Sequence, residues 1–448
     1  MTSSKSELAA LYVAHLQTLS ERTAKALERG GFDHLVIPAG LPPTLFLDDR
    51  ECHFHVNPHF KHWLPVTQAP GSWMVITPSS KPKLIFVQPQ DYWHVVPDAP
   101  SGYWVDHFDI HVIRKANDAR ALLPSDPARC AIIGEAGWGL DDYVPNNPSG
   151  VIEYLHYQRS YKTAYELSLM RVASTLGARG HLAAERAFRE GKSEFGIHID
   201  YLRAVGQTDN QLPYTNIIGL NEHGAVLHYM QLKSEAPAAS HSMLIDAGAS
   251  WQGYASDITR SHAVDHADEF KELIAAVDDA QLGFCAMVKH GQDYGDLHVH
   301  AHHVLAGVLN DFGFLTMSPE SAVESGVTAT FFPHGLGHPI GLQVHDVAGF
   351  HANDRGDTIP RPPGHPYLRF TRKLEAGMVC TIEPGIYFID MLLAELKAKP
   401  EGRDVDWDLV DGFRKYGGVR IEDDVVCTDG EPENLTRNAF AAEGANAD

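Results

Sequence analysis

Phe331–Val347 reads FFPHGLGHPIGLQVHDV and sets three histidines, His334, His338 and His345, four and seven residues apart in a glycine-rich, charge-poor run. A buried imidazole needs a hydrogen-bond partner or a metal, so core packing accounts poorly for three of them together. The residues alone say that one of the three binds a metal, without choosing which. That reading demands carboxylates elsewhere in the chain, in apolar settings, to complete a site.

Leu244–Thr259, LIDAGASWQGYASDIT, reads as two strands about a turn near Trp251 and Gln252. An even-length turn there pairs Asp246 with Asp257 directly across a hairpin, both on one face. Neighbouring carboxylates repel and a cation relieves them; two unrelated surface aspartates are the competing account, weakened by the apolar strand around each. Glu383 in MVCTIEPGIYF and Glu422 in YGGVRIEDDVVCT are also acids within β-rich apolar runs, where burial without a partner costs on the order of a few kcal/mol. Asp423 and Asp424 read as solvated or turn positions, although strand alternation puts Asp424 on the Glu422 face.

The length, 448 residues, predicts two domains, each able to bury a core. An amphipathic helix at the amino terminus stops at Gly30 and Gly31. Short apolar runs then predict strands in an α/β pattern: HLVIPAG, SWMVITP, KLIFVQP, DIHVIRK and CAIIGE. VPNNPSG, Val144 to Gly150, reads as the linker. Thr163 with Glu166 forms a capping box for a helix running towards Gly191, and a second helix follows Ser193 to Phe195. Strands are predicted from Leu212, in YTNIIGLN, AVLHYMQL and the segment around Asp246. Helices return between His266 and Phe312, and the tail after Arg437 reads as frayed.

The balance of 58 acidic to 36 basic residues, net −22, argues against nucleic acid or an anionic membrane as partner. Five scattered cysteines with no CxxC pair read as reduced thiols. There is no apolar run of transmembrane length and no signal-peptide pattern, so a cytoplasmic protein is expected. The extra histidines, His53, His55, His59 and His62 in one loop and His298, His300, His302 and His303 in LHVHAHHVL, are expected to be exposed.

The order Asp, Asp, His, Glu, Glu, carried by LIDAG, SDITR, HGLGHPIGLQVHD, TIEPGIYF and GGVRIEDD, resembles the metallopeptidases of the pita-bread fold. Within them it is similar to the prolidase branch, the bacterial Xaa-Pro dipeptidases that include organophosphorus acid anhydrolases. The likeness covers nearly the whole chain, including LDD…VNPHFKHWLPV and KPKLIFVQPQDYWH. It implies an α+β protein: a smaller amino-terminal α/β domain, 1–155, contributing to dimerisation and the pocket, and a pita-bread catalytic domain, 160–440.

The resemblance further implies a dinuclear metal site of Asp246, Asp257, His338, Glu383 and Glu422, with Asp257 and Glu422 bridging two divalent ions. Four carboxylates with one imidazole suit manganese, with cobalt or zinc as alternatives. His228, His334 and His345 would act around the substrate, and Glu383 would shuttle the proton. Arg369 and Arg420 would anchor the substrate, a salt bridge that neutralises the acidic site being an equal account of Arg420. Tyr214 and Tyr294 would line a small pocket, and Asp49 would reach the neighbouring subunit of a homodimer. The activity implied is hydrolysis of Xaa-Pro dipeptides with a trans prolyl bond by a metal-bridging hydroxide, with phosphotriester or fluoride hydrolysis as a side activity. An Xaa-Pro aminopeptidase acting on longer peptides is the alternative enzyme. A non-catalytic peptide-binding relative is the alternative of another class, disfavoured because all five ligands are retained. Where many relatives have RIEDN this chain has Asp424, which adds negative charge beside the metals.

Overall fold

The structure, a computed structural model, describes residues 5–444. Two compact units result, one built mainly of residues up to Leu169 and the other mainly of residues from Met170 onward.

The amino-terminal unit opens with the helix Lys5–Gly30. The five predicted runs form β1 (His34–Pro38), β2 (Trp73–Ile76), β3 (Lys83–Val87), β4 (Asp109–Ile113) and β5 (Cys130–Ile132). They make one sheet in the order β4-β3-β2-β1-β5, with β3–β4 and β1–β5 parallel and the other pairs antiparallel. Val36, Val75, Ile85, Val87 and Ile132 form its buried face. Asn146 lies along the β5 edge, accepting from Ile132 N and donating to Cys130 O, both at 2.9 Å. The capping box forms: Thr163 N–H donates to Glu166 Oε2 at 2.8 Å and Glu166 N–H to Thr163 Oγ1 at 3.4 Å. The helix it starts runs Ala164–Arg189.

The second unit packs helices onto small antiparallel sheets. Its strands are β6 (Ile217–Leu220), β7 (Ser242–Asp246), β8 (Ser250–Trp251), β9 (Tyr254–Ala255), β10 (Thr259–Ala263), β11 (Val379–Ile382), β12 (Gly385–Tyr387), β13 (Gly418–Arg420), β14 (Asp423–Val426) and β15 (Glu433–Asn434). They assemble as β10-β7-β6, β11-β14-β15, β12-β13 and β8-β9. Mixed helix and strand of this kind is the expected α+β class.

Four expectations are corrected. The hairpin turn centres one residue later than predicted, on Gln252 (φ 47°) and Gly253 (φ 91°), the two positive values a type I′ turn requires. Asp246 therefore pairs with Thr259 rather than Asp257, and Asp257 lies two residues along. AVLHYMQL is a loop after a 3-10 turn, Asn221–Ala225, not a strand, because Tyr229 within it and His223 and Lys233 on either side bond to the buried Glu194 carboxylate. Up to Gly444 the tail is not frayed: a helix runs Leu435–Gly444, held by Arg437 on Asp423 at 2.7 Å and Arg179 on Glu443 at 2.9 Å, and the rest of the tail, 445–448, lies outside the described residues. Asp423 and Asp424 are fully buried rather than solvated.

Candidate metal centre

The HGLGH segment runs antiparallel beside β11. Thr381 N–H donates to His338 O at 2.9 Å and Glu383 N–H to Leu336 O at 2.8 Å, while His338 N–H donates to Thr381 Oγ1 at 3.0 Å. Gly337 permits this approach, since a Cβ there would run into the Thr381 carbonyl oxygen and the Tyr294 hydroxyl. The backbone ladder sets His338 and Glu383 side by side.

His338 gives its Nδ1–H to Pro339 O at 3.0 Å, which leaves Nε2 unprotonated in the neutral ring. That nitrogen faces Asp257 Oδ2 at 3.3 Å and Glu383 Oε1 at 3.7 Å. Asp257, His338 and Glu422 offer ligand atoms within 4.8 Å of one another, all buried. Glu422 is set against the β7–β10 sheet, its N–H on Thr259 O at 3.1 Å and its Oε2 accepting from Thr259 Oγ1 at 2.6 Å. Asp246 accepts from Arg420 Nη2 at 2.6 Å through Oδ2, while its Oδ1 is buried with no hydrogen-bond partner.

Buried ligand atoms converging on one point are what a cation satisfies, so the residues fit a divalent metal. Without a cation the crowded acids draw protons into the cluster instead, which a bound ion would displace. Burial alone would lower the His338 pKa, but Asp257 and Glu383 outweigh it and raise it to about 9. Burial raises Glu383 to about 7 against the pull of His338 and Arg420. It also raises Glu422 well above the usual range, with Asp257 adding to the effect.

The other two histidines of the run are placed differently. His334 gives Nδ1–H to Gly335 O at 2.8 Å, so its Nε2 accepts from Tyr387 OH at 2.8 Å. His345 is exposed, its ring edge-on to His338 at 4.4 Å. His228 is also exposed and close enough to His334 and His345 to disfavour their protonated forms.

Arg420 is buried, donating to Asp246, to Tyr387 OH at 2.8 Å and to Thr259 Oγ1 at 3.1 Å. Arg369 is exposed and near enough to His345 to lower its pKa. Tyr214 OH donates to Asp257 Oδ1 at 2.6 Å. Tyr294 is fully buried with its hydroxyl on Thr381 O at 2.7 Å. Asp49 is exposed in the amino-terminal unit.

Several contributors escaped the sequence reading. Tyr387 links His334 to Arg420; it lies in the same TIEPGIYF run as Glu383, beyond the break between β11 and β12. Asp424, which strand alternation puts on the Glu422 face, accepts the Asp257 N–H through Oδ2 at 3.1 Å. Arg260 donates to Glu422 O at 2.8 Å and Asp423 Oδ1 at 2.7 Å.

The extra histidines are not all exposed. His62 is buried, its Nε2 3.3 Å from Glu166, and His298 and His302 are 1% exposed. His298, His302 and His365 lie close enough together to suggest a metal. However, Leu336 N–H donates to His298 Nδ1 at 3.2 Å, so Nε2–H is the donor to His365 Nδ1 at 2.9 Å. That tautomer leaves His298 no lone pair for an ion.

Residues 168–429 match metallopeptidase family M24, and residues 10–157 match the family described as Xaa-Pro dipeptidase, N-terminal domain. The chain belongs to metallopeptidase family M24. It is a peptidase of the pita-bread fold, and its relatives agree along the whole length. A Xaa-Pro dipeptidase of Stenotrophomonas maltophilia is 61% identical over 433 residues, covering 97% of this chain and 98% of its own. One from Xanthomonas campestris pv. campestris is 61% identical over 435 residues, covering 97% and 99%. Among solved structures, Pseudomonas aeruginosa aminopeptidase PepP superposes on this M24 peptidase with a TM-score of 0.70 at 22% identity, covering 99% of each chain. Escherichia coli aminopeptidase P with the inhibitor Pro-Leu gives 0.71 at 22% identity over 96% of this chain and 99% of that one. At that identity the likeness concerns the fold.

Proposed function

We propose that this M24 peptidase is a cytoplasmic dipeptidase that hydrolyses Xaa-Pro dipeptides with a trans prolyl bond. The observation that carries the reading is the His338 Nε2 turned onto Asp257 and Glu383 beside Glu422, in a chain 61% identical to proteins named Xaa-Pro dipeptidase. Asp246, Asp257, His338, Glu383 and Glu422 would hold two divalent ions, manganese first among them. When bound, such ions supply Lewis acidity and make water at the site easier to deprotonate.

The chain's own groups do the rest. Glu383, already raised to about 7 by burial, takes the proton that water gives up and returns it to the prolyl nitrogen. His345 and His228 donate to the scissile carbonyl oxygen as it gains charge, and His334 acts beside them. Arg369 takes the proline carboxylate as a charge-assisted pair. Arg420 holds Asp246 in place, and Tyr214 does the same for Asp257 from the pocket wall. Tyr294 supports the pocket from behind through Thr381. We assign residues 1–155 and 160–440 to separate domains, the first forming a homodimer and presenting Asp49 to the neighbouring subunit. Phosphotriesters and their fluoride analogues are side substrates, because tetrahedral phosphorus resembles the amide-hydrolysis intermediate.

The test is hydrolysis by metal-free protein reconstituted with manganese, cobalt or zinc in turn, on Xaa-Pro and Xaa-Pro-Yaa. Restored turnover of dipeptides alone is expected. Equal turnover of the tripeptides would replace the dipeptidase reading with an aminopeptidase one.

A further inference from the structure

The loop that carries His228 is tied at three points to a single carboxylate. Glu194 is 1% exposed and stands first in the helix Glu194–Val205, whose N-cap is Ser193. Its Oε1 accepts from His223 Nδ1–H at 2.6 Å and from Leu220 N–H at 3.0 Å. Its Oε2 accepts from Tyr229 OH and from Lys233 N–H, both at 2.8 Å. Phe195 N–H returns a bond to Lys233 O at 3.0 Å. The rings of His223 and Tyr229 stack at 4.6 Å, closing the loop on itself.

Four donors on one buried carboxylate, at the positive end of a helix, make a strong anchor. Those donors flank Val226–His228, a turn whose own side chains at Val226 and His228 are exposed. Among the described residues the turn pairs with no strand, and the Glu194 carboxylate holds it from both sides. Tyr229 is the immediate neighbour of His228, which therefore sits one peptide from a fixed point.

We propose that Glu194 is a positioning residue for His228, its buried carboxylate fixing the Asn221–Lys233 loop so that the imidazole is held over the substrate. The role rests on the reading of His228 as a substrate contact. A misplacement of about 1 Å at such a contact costs roughly 10²-fold in rate, which sets the expected effect.

The experiment compares manganese-loaded wild type, Glu194→Gln, His228→Ala and the double variant on an Xaa-Pro dipeptide, with metal content and hydrogen–deuterium exchange of residues 221–233. Glu194→Gln is expected to lower kcat roughly 10²-fold, leave KM and metal content near wild type, and raise exchange across the loop. The double variant should be no slower than His228→Ala alone. Tyr229→Phe removes one donor and keeps the carboxylate; it serves if Glu194→Gln does not fold, with a loss of about fivefold and the same non-additivity. Losses that multiply in the double variant, or unchanged exchange in the loop, overturn the proposal. No hydrolysis by the wild-type holoenzyme would sink the assigned reaction and the His228 role with it, whereas unchanged exchange sinks the Glu194 role alone.

Discussion

Tyr387 donates its hydroxyl to Nε2 of His334 at 2.8 Å, which occupies the lone pair that a metal would need. His338, four residues on, keeps its Nε2 free of any such donor and turns it onto Asp257 at 3.3 Å. Two histidines of one sequence run are thus sorted into different roles by their hydrogen bonds. The tautomer follows in each case from a backbone carbonyl that takes Nδ1–H.

His338→Ala is therefore expected to weaken metal binding by more than about 100-fold, beyond the loss typical of outer-sphere partners. His334→Ala and His345→Ala should retain metal and lose turnover by roughly 10²–10³-fold, the scale of a lost oxyanion donor. Metal content and kcat measured on all three variants separate the roles. Metal loss from His334→Ala equal to that from His338→Ala would refute the division.

Gly337→Ala should destabilise the protein by at least about 1–3 kcal/mol, the cost of overpacking a tight contact, because its Cβ meets the Thr381 carbonyl oxygen. The same movement pulls His338 away from Glu383, so metal content falls as well. Urea unfolding and metal analysis of the variant check both; an unchanged unfolding midpoint would contradict the close approach.

Asp423 is fully buried between two guanidinium groups, Arg260 and Arg437, each at 2.7 Å. Burial would raise its pKa, but the two arginines hold it down at about 2. Asp423→Ala leaves both cations without their shared partner and is expected to cost about 3–5 kcal/mol. Asp390→Ala makes the contrast: that carboxylate, 74% exposed and paired with Arg414, should cost less than about 1 kcal/mol. Similar losses in the two variants would show that burial does not set the value of the Asp423 pairs.

Local order was legible wherever short-range chemistry decides it. The strands of the amino-terminal sheet are apolar runs between turns, and Thr163 with Glu166 forms the box its spacing announces. The hairpin register was missed because the conformation of Gln252–Gly253, not strand polarity, sets it. AVLHYMQL has strand composition, yet Glu194 takes the Tyr229 hydroxyl within it and the polar groups of His223 and Lys233 beside it. The pairing of Arg420 with Asp246 spans 174 residues of sequence, a distance over which no local pattern speaks. The burial of His298 and His302 depends on which face of their helix meets the core, and LHVHAHHVL has histidine on both faces.

His181 yields a pH dependence. It is buried with Nε2–H on Ala247 O at 2.9 Å, and its ring lies against Tyr201 and Phe440. Burial lowers its pKa to about 3; the Ala247 carbonyl opposes this, and Arg260 and His262 add to it. The unfolded chain takes up this proton near pH 6.5, but the folded one does not until about pH 3. The stability contribution is therefore full above about pH 6.5 and is lost progressively as pH falls towards 3, about 2 kcal/mol of it by pH 5. Glu185, held at about 2 by its hydrogen bond to His262, loses its own contribution only below the usual carboxylate value and does not mask the effect between about pH 7 and about pH 5. In urea unfolding at about pH 7 and about pH 5, His181→Gln should lose about 2 kcal/mol less on acidification than wild type. Equal losses in the two proteins would mean that His181 is protonated in the folded state as readily as in the unfolded one.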